Sequence, residues 1–309
     1  MTAISVVMAV YNGGAALEPT LDSILAQTER DFEFIIVDDG STDATPVTLA
    51  NYTARDPRIR VIRQENAGLT RSLITGCAAA AGRYIARQDC GDTSHPERLA
   101  LQKALLDGNP RLAFVSSWTA FVGPEGEPLS EARGSGAAAA PIAILDPERE
   151  WGTIDGPTSH PSVMMRRDAY ERAGGYRAEF KVGQDWDLWY RLAPLGEFQI
   201  VPRVLYTGSV TPDSISGGSR DAQQALAKLS HEAMMLRLGG GDDADVLRRA
   251  EAVPIVRRKT PRGTARGLYA IGESLRRRRD RRARGYFRRA IALHPFFVKA
   301  WIRYAQSFF

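Results

Sequence analysis

Phe32-Glu33-Phe34-Ile35-Ile36-Val37-Asp38-Asp39-Gly40-Ser41-Thr42-Asp43 decides how the chain is read. A short apolar run rich in β-branched residues ends in two carboxylates and a turn. That is a buried strand with an acidic tip. Ser41, Thr42 and Asp43 are all suited to cap a following helix. Upstream, Ile4-Ser5-Val6-Val7-Met8-Ala9-Val10 is a second such strand, broken by Asn12-Gly13-Gly14, and Leu17, Leu21, Ile24 and Leu25 then recur at helical spacing. Downstream, 59–62 reads as a strand, 70–81 as a small-residue helix, 83–88 as a strand ending at Asp89, 95–107 as a helix and 113–117 as a fifth strand. Alternation of this kind predicts βαβ units and a mostly parallel sheet flanked by helices. Ligands of such sheets lie at the carboxyl ends of the strands. The polar clusters Tyr11-Asn12, Asp38-Asp39 and Asp89 to Asp92 all fall there.

At 309 residues, one domain of about 220 residues plus an appendage is expected. With 44% hydrophobic and 25% charged residues the chain can bury a sizeable core, which excludes a disordered protein. No run of about 18 apolar residues is present, which argues against a spanning helix. Met1-Thr2-Ala3-Ile4 offers no basic segment of a signal peptide. Two cysteines, Cys77 and Cys90, do not make a disulfide scaffold and suit a reducing cytosol. Residues 123–140, rich in Gly, Ala, Pro and Glu, read as a flexible surface excursion. A less regular half follows over 141–219, and 220–309 reads as helical, with helices at 268–275 and 283–293 and a third element resuming after Pro295.

Several ordered motifs together resemble the family 2 glycosyltransferases of the GT-A fold. They are Ser5 to Asn12, Ile36 to Asp43, Asn66-Ala67-Gly68-Leu69, His160-Pro161-Ser162 with Gly174-Gly175-Tyr176, and Gln184-Asp185-Trp186-Asp187-Leu188-Trp189-Tyr190-Arg191-Leu192. The resemblance implies a GT-A-type, Rossmann-like domain over 1–219. Its nucleotide half spans about 1–120 and its acceptor half about 141–219, with a basic helical region over 220–309. It further implies an inverting transfer of sugar from a nucleotide-diphosphate sugar to an acceptor hydroxyl, with a divalent metal. UDP ranks before GDP or dTDP as the nucleotide. The acceptor is a saccharide or a lipid-linked one, in synthesis of a cell-surface polysaccharide or glycolipid on the cytoplasmic side.

Residue by residue, the resemblance puts Ala9, Tyr11, Asp39, Gly68, Arg71 and Asp89 at the nucleotide sugar. Tyr11 stacks on the base and Asp39 accepts a base N–H. Gly68 permits close backbone approach, and Arg71 matches diphosphate oxygens. The plain alternative for Asp38 and Asp39 is strand termination and helix capping, and for Arg71 a solvated helix face. Asp89-Cys90-Gly91-Asp92 departs from the family's Asp-x-Asp-Asp, because Gly91 replaces the carboxylate most often bound to metal. Asp89 and Asp92 remain as ligands for Mg2+ or Mn2+, and only a turn at Gly91 would bring them together. Three readings stay open: a shared metal, weak metal binding, or replacement by a cation such as Arg71.

Asp185 is the expected general base on the acceptor hydroxyl, work worth about 10²–10⁴-fold. Gln184 stands where the family has Glu, which removes a like charge beside it. Asp187 is the local alternative base, or a residue that points away. His160 and Gln184 are further candidates for acceptor or diphosphate contact, against a structural reading for a lone histidine beside proline. His95, His231 and His294 are too scattered for a metal site. Cys90 lies at the site without a base partner. Ser214-Ile215-Ser216 is a segment able to close over the ligands.

The charge is uneven: residues 255–309 carry 16 Lys/Arg against 2 Asp/Glu, and the rest carry 25 against 34. Arg276 to Arg282 wraps a helix rather than lining one face. Its readings are a solvated surface or attachment to an anionic membrane. No aromatic-interleaved motif supports nucleic acid. Residues 285–295 resemble half a tetratricopeptide repeat, consistent with a helical hairpin or a homodimer contact. The rival readings of the whole are a catalytically weak, GT-A-like nucleotide-sugar-binding protein, motivated by Gly91 and Gln184, and a nucleotidyltransferase. The latter would need a basic Gly-rich loop after the first strand, where this chain has no Lys or Arg until Arg30.

Overall fold

A computed structural model describes residues 2–134, 156–213, 220–255 and 260–308. Ser214-Ile215-Ser216 and the start of the expected acceptor half at 141 lie outside them. The chain divides into two compact units. The first comprises Met1–Thr119, Ala132–Thr207 and Ala225–Val253, and the second Ala120–Glu131, Gly208–Gln224 and Pro254–Phe309.

In the first unit, β1 (Ile4–Val10), β2 (Phe32–Asp38), β3 (Ile59–Arg63) and β4 (Tyr84–Asp89) pair in parallel in the order β3-β2-β1-β4. The connecting helices are α1 (Leu17–Leu25), α2 (Thr45–Arg55) and α3 (Leu69–Ala78). All seven residues of β1 are buried, as the unbroken apolar run requires of a strand covered on both faces. Core residues divide by strand alternation: Ile4, Val6, Met8, Phe34 and Ile36 pack with Leu17, Leu21 and Ile24 of α1. Val7, Ala9 and Ile35 pack with Leu73 and Cys77 of α3.

Beyond β4 the sheet ceases to be parallel. After the short β5 (Thr93–Ser94), α4 (Arg98–Gly108), β6 (Leu112–Val122) and β7 (Pro128–Ala132), the chain returns as β8 (Met164–Arg166). It lies between β4 and β6 and runs antiparallel to both. α5 (Arg167–Arg172), α6 (Gln184–Leu192) and the 13-residue β9 (Glu197–Ser209) follow, so the half read as irregular contains the longest strand. α7 (Arg220–Leu238) and α8 (Ala244–Ala252) complete the helices before residue 254.

The second unit is built on a hairpin of α9 (Pro261–Arg277) and α10 (Ala283–Leu293), with α11 (Val298–Gln306) beyond Pro295. Its core is Ala265, Leu268, Ile271, Leu275, Tyr286, Phe287 and Ala290. Gly272 lets the Phe287 ring approach so closely that an added Cβ would stand 2.8 Å from it. Residues 123–134 are not a free excursion. β7 pairs with β6, Leu129 enters the helical core, and buried Glu127 accepts a hydrogen bond from the Tyr286 hydroxyl. The arginine run breaks between helices: Arg276 and Arg277 close on Glu273, while Arg282 closes on Asp280. Among the described residues no helix is long and apolar enough to cross a membrane.

Gly82 is where the chain crosses beneath β1. A Cβ there would lie 2.5 Å from the Ser5 amide nitrogen and 2.7 Å from the Ile4 carbonyl carbon. Gly82→Ala is expected to destabilise the protein by about 1–3 kcal/mol, read as a lower midpoint in urea unfolding.

Candidate active site

Strand register assembles the site. Ala9 is aligned with Val37 on one side and Asp89 on the other, Val10 is aligned with Asp38, and the Asp39 amide donates to Val10 O at 2.8 Å. Tyr11, Asp39 and Asp89, distant in sequence, therefore meet at one sheet edge. Ala9 contributes floor, its side chain buried with the α3 residues. The Tyr11 ring is 52% exposed, so a face is open for stacking.

Asn12 takes a left-handed φ of 52°, which Asn tolerates better than most residues. Its Oδ1 accepts from the Thr42 and Asp43 amides at 2.8 and 3.3 Å, and its own amide donates to Ser41 Oγ at 2.9 Å. Ser41 and Thr42 thus tie the first loop to the second, and of the three expected caps it is Asp43 whose Oδ1 accepts from the Thr45 amide at the start of α2, at 2.9 Å. Asp38 is buried and accepts from the Ser41 amide at 2.9 Å, a turn-forming role.

Asp39 does more than the sequence signals. Its Oδ1 accepts from Gln64 Nε2 and the Ala67 amide, at 2.8 and 2.9 Å, and its Oδ2 from the Gly68 amide at 2.9 Å. Three of about four acceptor positions of the carboxylate hold the 64–68 loop that leads into α3. Gly68 has φ 89° and is the N-cap of that helix. Arg71 is exposed in the first turn.

At the tip of β4, Arg87 is fully buried and its Nη2 lies 2.6 Å from Asp89 Oδ1. Gly91 makes the turn with φ 94°, its amide donating to Thr20 Oγ1 at 2.9 Å. The Tyr206 hydroxyl donates to Asp92 Oδ2 at 2.9 Å. Arg98, also fully buried, bonds Gln88 Oε1, Ser94 Oγ, Arg87 O and Pro161 O at 2.7–3.1 Å. Burial lowers its pKa to about 10, which still leaves it charged at neutral pH. Sequence reading missed Arg87, Arg98 and Tyr206. The available signal was an arginine inside a strand buried on both faces.

Asp185 stands in the first turn of α6, partly buried. Desolvation raises its pKa above the ordinary aspartate value, and the charge of Asp89 adds to this. The Trp186 and Asp185 amides and the Arg87 charge oppose the rise without cancelling it. Asp185 is therefore within electrostatic reach of both Arg87 and Asp89. Gln184 is buried beside it. Asp187 is a structural group. It is fully buried, ion-paired with Arg177 and with Arg191 at 2.6 Å, and it turns away from the base role. Trp189 stacks on Phe114 at 5.2 Å as core.

Two separated motifs meet at His160. Its Nε2 and the Tyr176 hydroxyl are 2.7 Å apart, and its ring meets Tyr176 and Trp189 edge-on. Gly174 and Gly175, with φ 79° and 66°, turn the chain so that the Tyr176 amide reaches the Tyr170 hydroxyl at 3.1 Å. Burial and the Arg87 charge hold the His160 pKa well below its usual value, so the ring is neutral at pH 7. The Cys90 thiol is pushed up to about 12 by burial and by the charges of Asp89, Asp92 and Asp43. It is no nucleophile.

No group of three or more His, Cys, Asp and Glu able to hold a metal occurs among the described residues. A Mg2+-like ion needs only one or two carboxylates when phosphate oxygens and water complete its shell. Asp89 and Asp92 lie on either side of the Gly91 turn, with Asp89 Oδ1 on Arg87 and Asp92 Oδ2 on the Tyr206 hydroxyl.

The model of the family described as glycosyl transferase family 2 matches residues 5–174. The chain belongs to that family. It is 34% identical over 192 residues to EpsE of Bacillus subtilis, named as a glycosyltransferase, a match covering 61% of this chain and 66% of EpsE. Just over a third of this chain therefore lies outside that match. Among solved structures it is similar to S. aureus TarS 1–349 in complex with UDP, with TM-score 0.59 and 16% identity over 99% of this chain and 90% of that one. It is also similar to the mannosyltransferase PcManGT of Pyrobaculum calidifontis in complex with GDP-Man and Mn2+, with TM-score 0.56 and 17% identity over 98% and 84%. At those identities the likeness establishes the fold, which is GT-A.

The two aspartates of α6 should separate cleanly. Asp187→Asn takes the carboxylate partner from the partly buried Arg191 and leaves Arg177 with Asp243 alone, and is expected to cost up to about 3–5 kcal/mol. Asp185→Asn should leave stability equal or higher at neutral pH, because a raised carboxyl pKa means that the charged form is disfavoured in the folded state. The gain should be absent below the unfolded value near 3.8 and grow as pH rises through the folded value. Chemical denaturation of both variants between acid and neutral pH measures this.

Proposed function

We propose that the protein is an inverting glycosyltransferase moving a sugar from a nucleotide-diphosphate donor to an acceptor hydroxyl. The observation carrying this reading is Asp185, a carboxylate of raised pKa at the start of a helix and within electrostatic reach of the β4 acidic tip. The acceptor oxygen attacks the anomeric carbon from the face opposite the diphosphate. Its proton passes to the Asp185 carboxylate as the bond from carbon to the diphosphate oxygen breaks, and the configuration inverts. The raised pKa brings the base closer to the working pH, where proton transfer is most effective.

Tyr11 stacks on the base, and the remaining acceptor capacity of Asp39 takes a base N–H. Uracil and guanine both offer one, and UDP ranks first, as in the bound TarS complex. The Gly68 backbone and Arg71, at the positive start of α3, face the diphosphate. Asp89 serves the ribose and, with Asp92, would hold Mg2+ or Mn2+, which when bound neutralises the departing diphosphate. His160 is neutral and hydrogen-bonded to Tyr176. It shapes the acceptor side without carrying charge. The acceptor is a saccharide or lipid-linked hydroxyl, and the setting is the building of a surface polysaccharide or glycolipid on the cytoplasmic side.

A donor that binds only the folded protein raises its melting temperature by mass action. UDP-sugars with Mn2+ should give larger shifts than GDP- or dTDP-sugars, and larger than UDP-sugars without metal. Asp185→Asn should lower transfer by at least about 10²-fold while donor affinity stays within a few-fold. Wild-type turnover in that variant reassigns the base. Donor binding with neither hydrolysis nor transfer, across a wide acceptor panel, makes the protein a binding module instead.

A further inference from the structure

α11 carries one apolar arc wider than packing on the helical core requires. One side is accounted for: Ala300 is fully buried and Tyr304 packs with it in the helical core, while Phe297 meets Tyr269 at 5.0 Å. Arg303 binds Glu273 at 3.2 Å and Arg284 Nε donates to Ser307 O at 2.8 Å, fixing the helix in place. The other side is not accounted for. Val298, Trp301, Ile302 and Ala305 recur at i, i+3, i+4 and i+7. At 3.6 residues per turn they form one stripe that adjoins the Ala300 and Tyr304 face on the Trp301 side and continues it outward, while Lys299, Arg303 and Gln306 occupy the rest of the helix. Val298 is 65%, Trp301 51% and Ile302 50% exposed. Phe296, 87% exposed in the preceding turn, extends the stripe at its start, while Phe308 at the far end packs on Tyr304 at 5.2 Å and under the Arg284 guanidinium. Trp301 Nε1 donates to Pro295 O at 2.8 Å, so the one polar atom of the indole is already satisfied by the protein. Packing within this unit gives no reason for aromatic and branched residues on that side.

The charge around the stripe indicates what covers it. Residues 281–309 contain seven Lys/Arg and no Asp or Glu. Arg288 and Arg289 are exposed on α10 and Lys299 on α11. A second copy of the same face would oppose cations with cations. An anionic lipid surface complements both features: it attracts the cations and takes the apolar side chains into the boundary between headgroups and acyl chains. An exposed tryptophan flanked by basic residues suits that boundary.

We propose that the outer face of α11, centred on Trp301 and Ile302, docks on the surface of an anionic bilayer. It lies in the interface plane and does not cross it. The proposal is independent of the glycosyl-transfer reading, since none of its residues belongs to the sheet edge.

Sedimentation of the full chain with vesicles tests it. One set contains phosphatidylcholine with about one third phosphatidylglycerol, and the other phosphatidylcholine alone. Binding to the anionic set at low salt is expected, with loss of at least about tenfold in affinity on neutral vesicles, in high salt, and in Trp301→Ser/Ile302→Ser. Both positions are exposed, so the variant's thermal unfolding should match wild type, and that control is part of the measurement. Brominated lipid should quench tryptophan emission in the wild type and lose most of that effect in Trp301→Phe. The proposal is overturned by no binding to anionic vesicles at low salt, or by equal binding of the double serine variant. It is also overturned by a dimer in sedimentation equilibrium that the same variant dissociates, which would give the face to a second copy.

Discussion

The ion pair between Arg87 and Asp89 organises the acidic end of the sheet. The guanidinium is wholly out of water, and its Nε has no hydrogen-bond partner among the described residues. A charge in that position is tolerated only with a close counter-charge. Asp89 provides it at 2.6 Å. The same positive charge lowers the pKa of His160 and opposes the rise at Asp185. One buried residue therefore influences the β4 tip, the neutral histidine and the base candidate together. Arg98 supports it from below by bonding the Arg87 carbonyl as well as Pro161 O, which joins α4 and the 160–162 turn to β4.

Around this centre the carboxylates divide into two kinds. Asp38, Asp39 and Asp187 are buried and fully or largely used by donors of the chain itself. Asp185 differs: it is partly buried, with no ion pair in contact among the described residues, and disfavoured as a charge. A protein gains no stability from such a charge, and carboxylates of raised pKa cluster at functional sites. Gln184 beside it removes a charge that would have raised its pKa further.

The helical unit shows the same logic on a surface. α9 and α10 turn their apolar residues inward around Phe287 and Leu268. α11 contributes Ala300 to that core yet continues its apolar arc outward, in a segment without acidic residues. Core formation explains the first part of the arc only.

Local pattern alone determined the parallel half of the fold. Apolar runs of strand length ending in polar clusters specify β1 and β2, a shorter run ending at Asp89 marks β4, and parallel register then forces Tyr11, Asp39 and Asp89 to one edge. The helices of the basic region were legible from their apolar spacing. What pattern left undecided depends on contacts between residues far apart. β8 is three residues long, too short for a periodic signal, yet its insertion between β4 and β6 makes the sheet mixed. The 128–132 strand has little apolar content of its own and exists because β6 and the helical core receive it. Burial of Arg87 and Arg98, which polar residue types disguise, and the pKa of Asp185, which depends on charges brought near by folding, are likewise decided by tertiary structure. Sequence records which groups are present and which face they share; desolvation and proximity are properties of the folded chain.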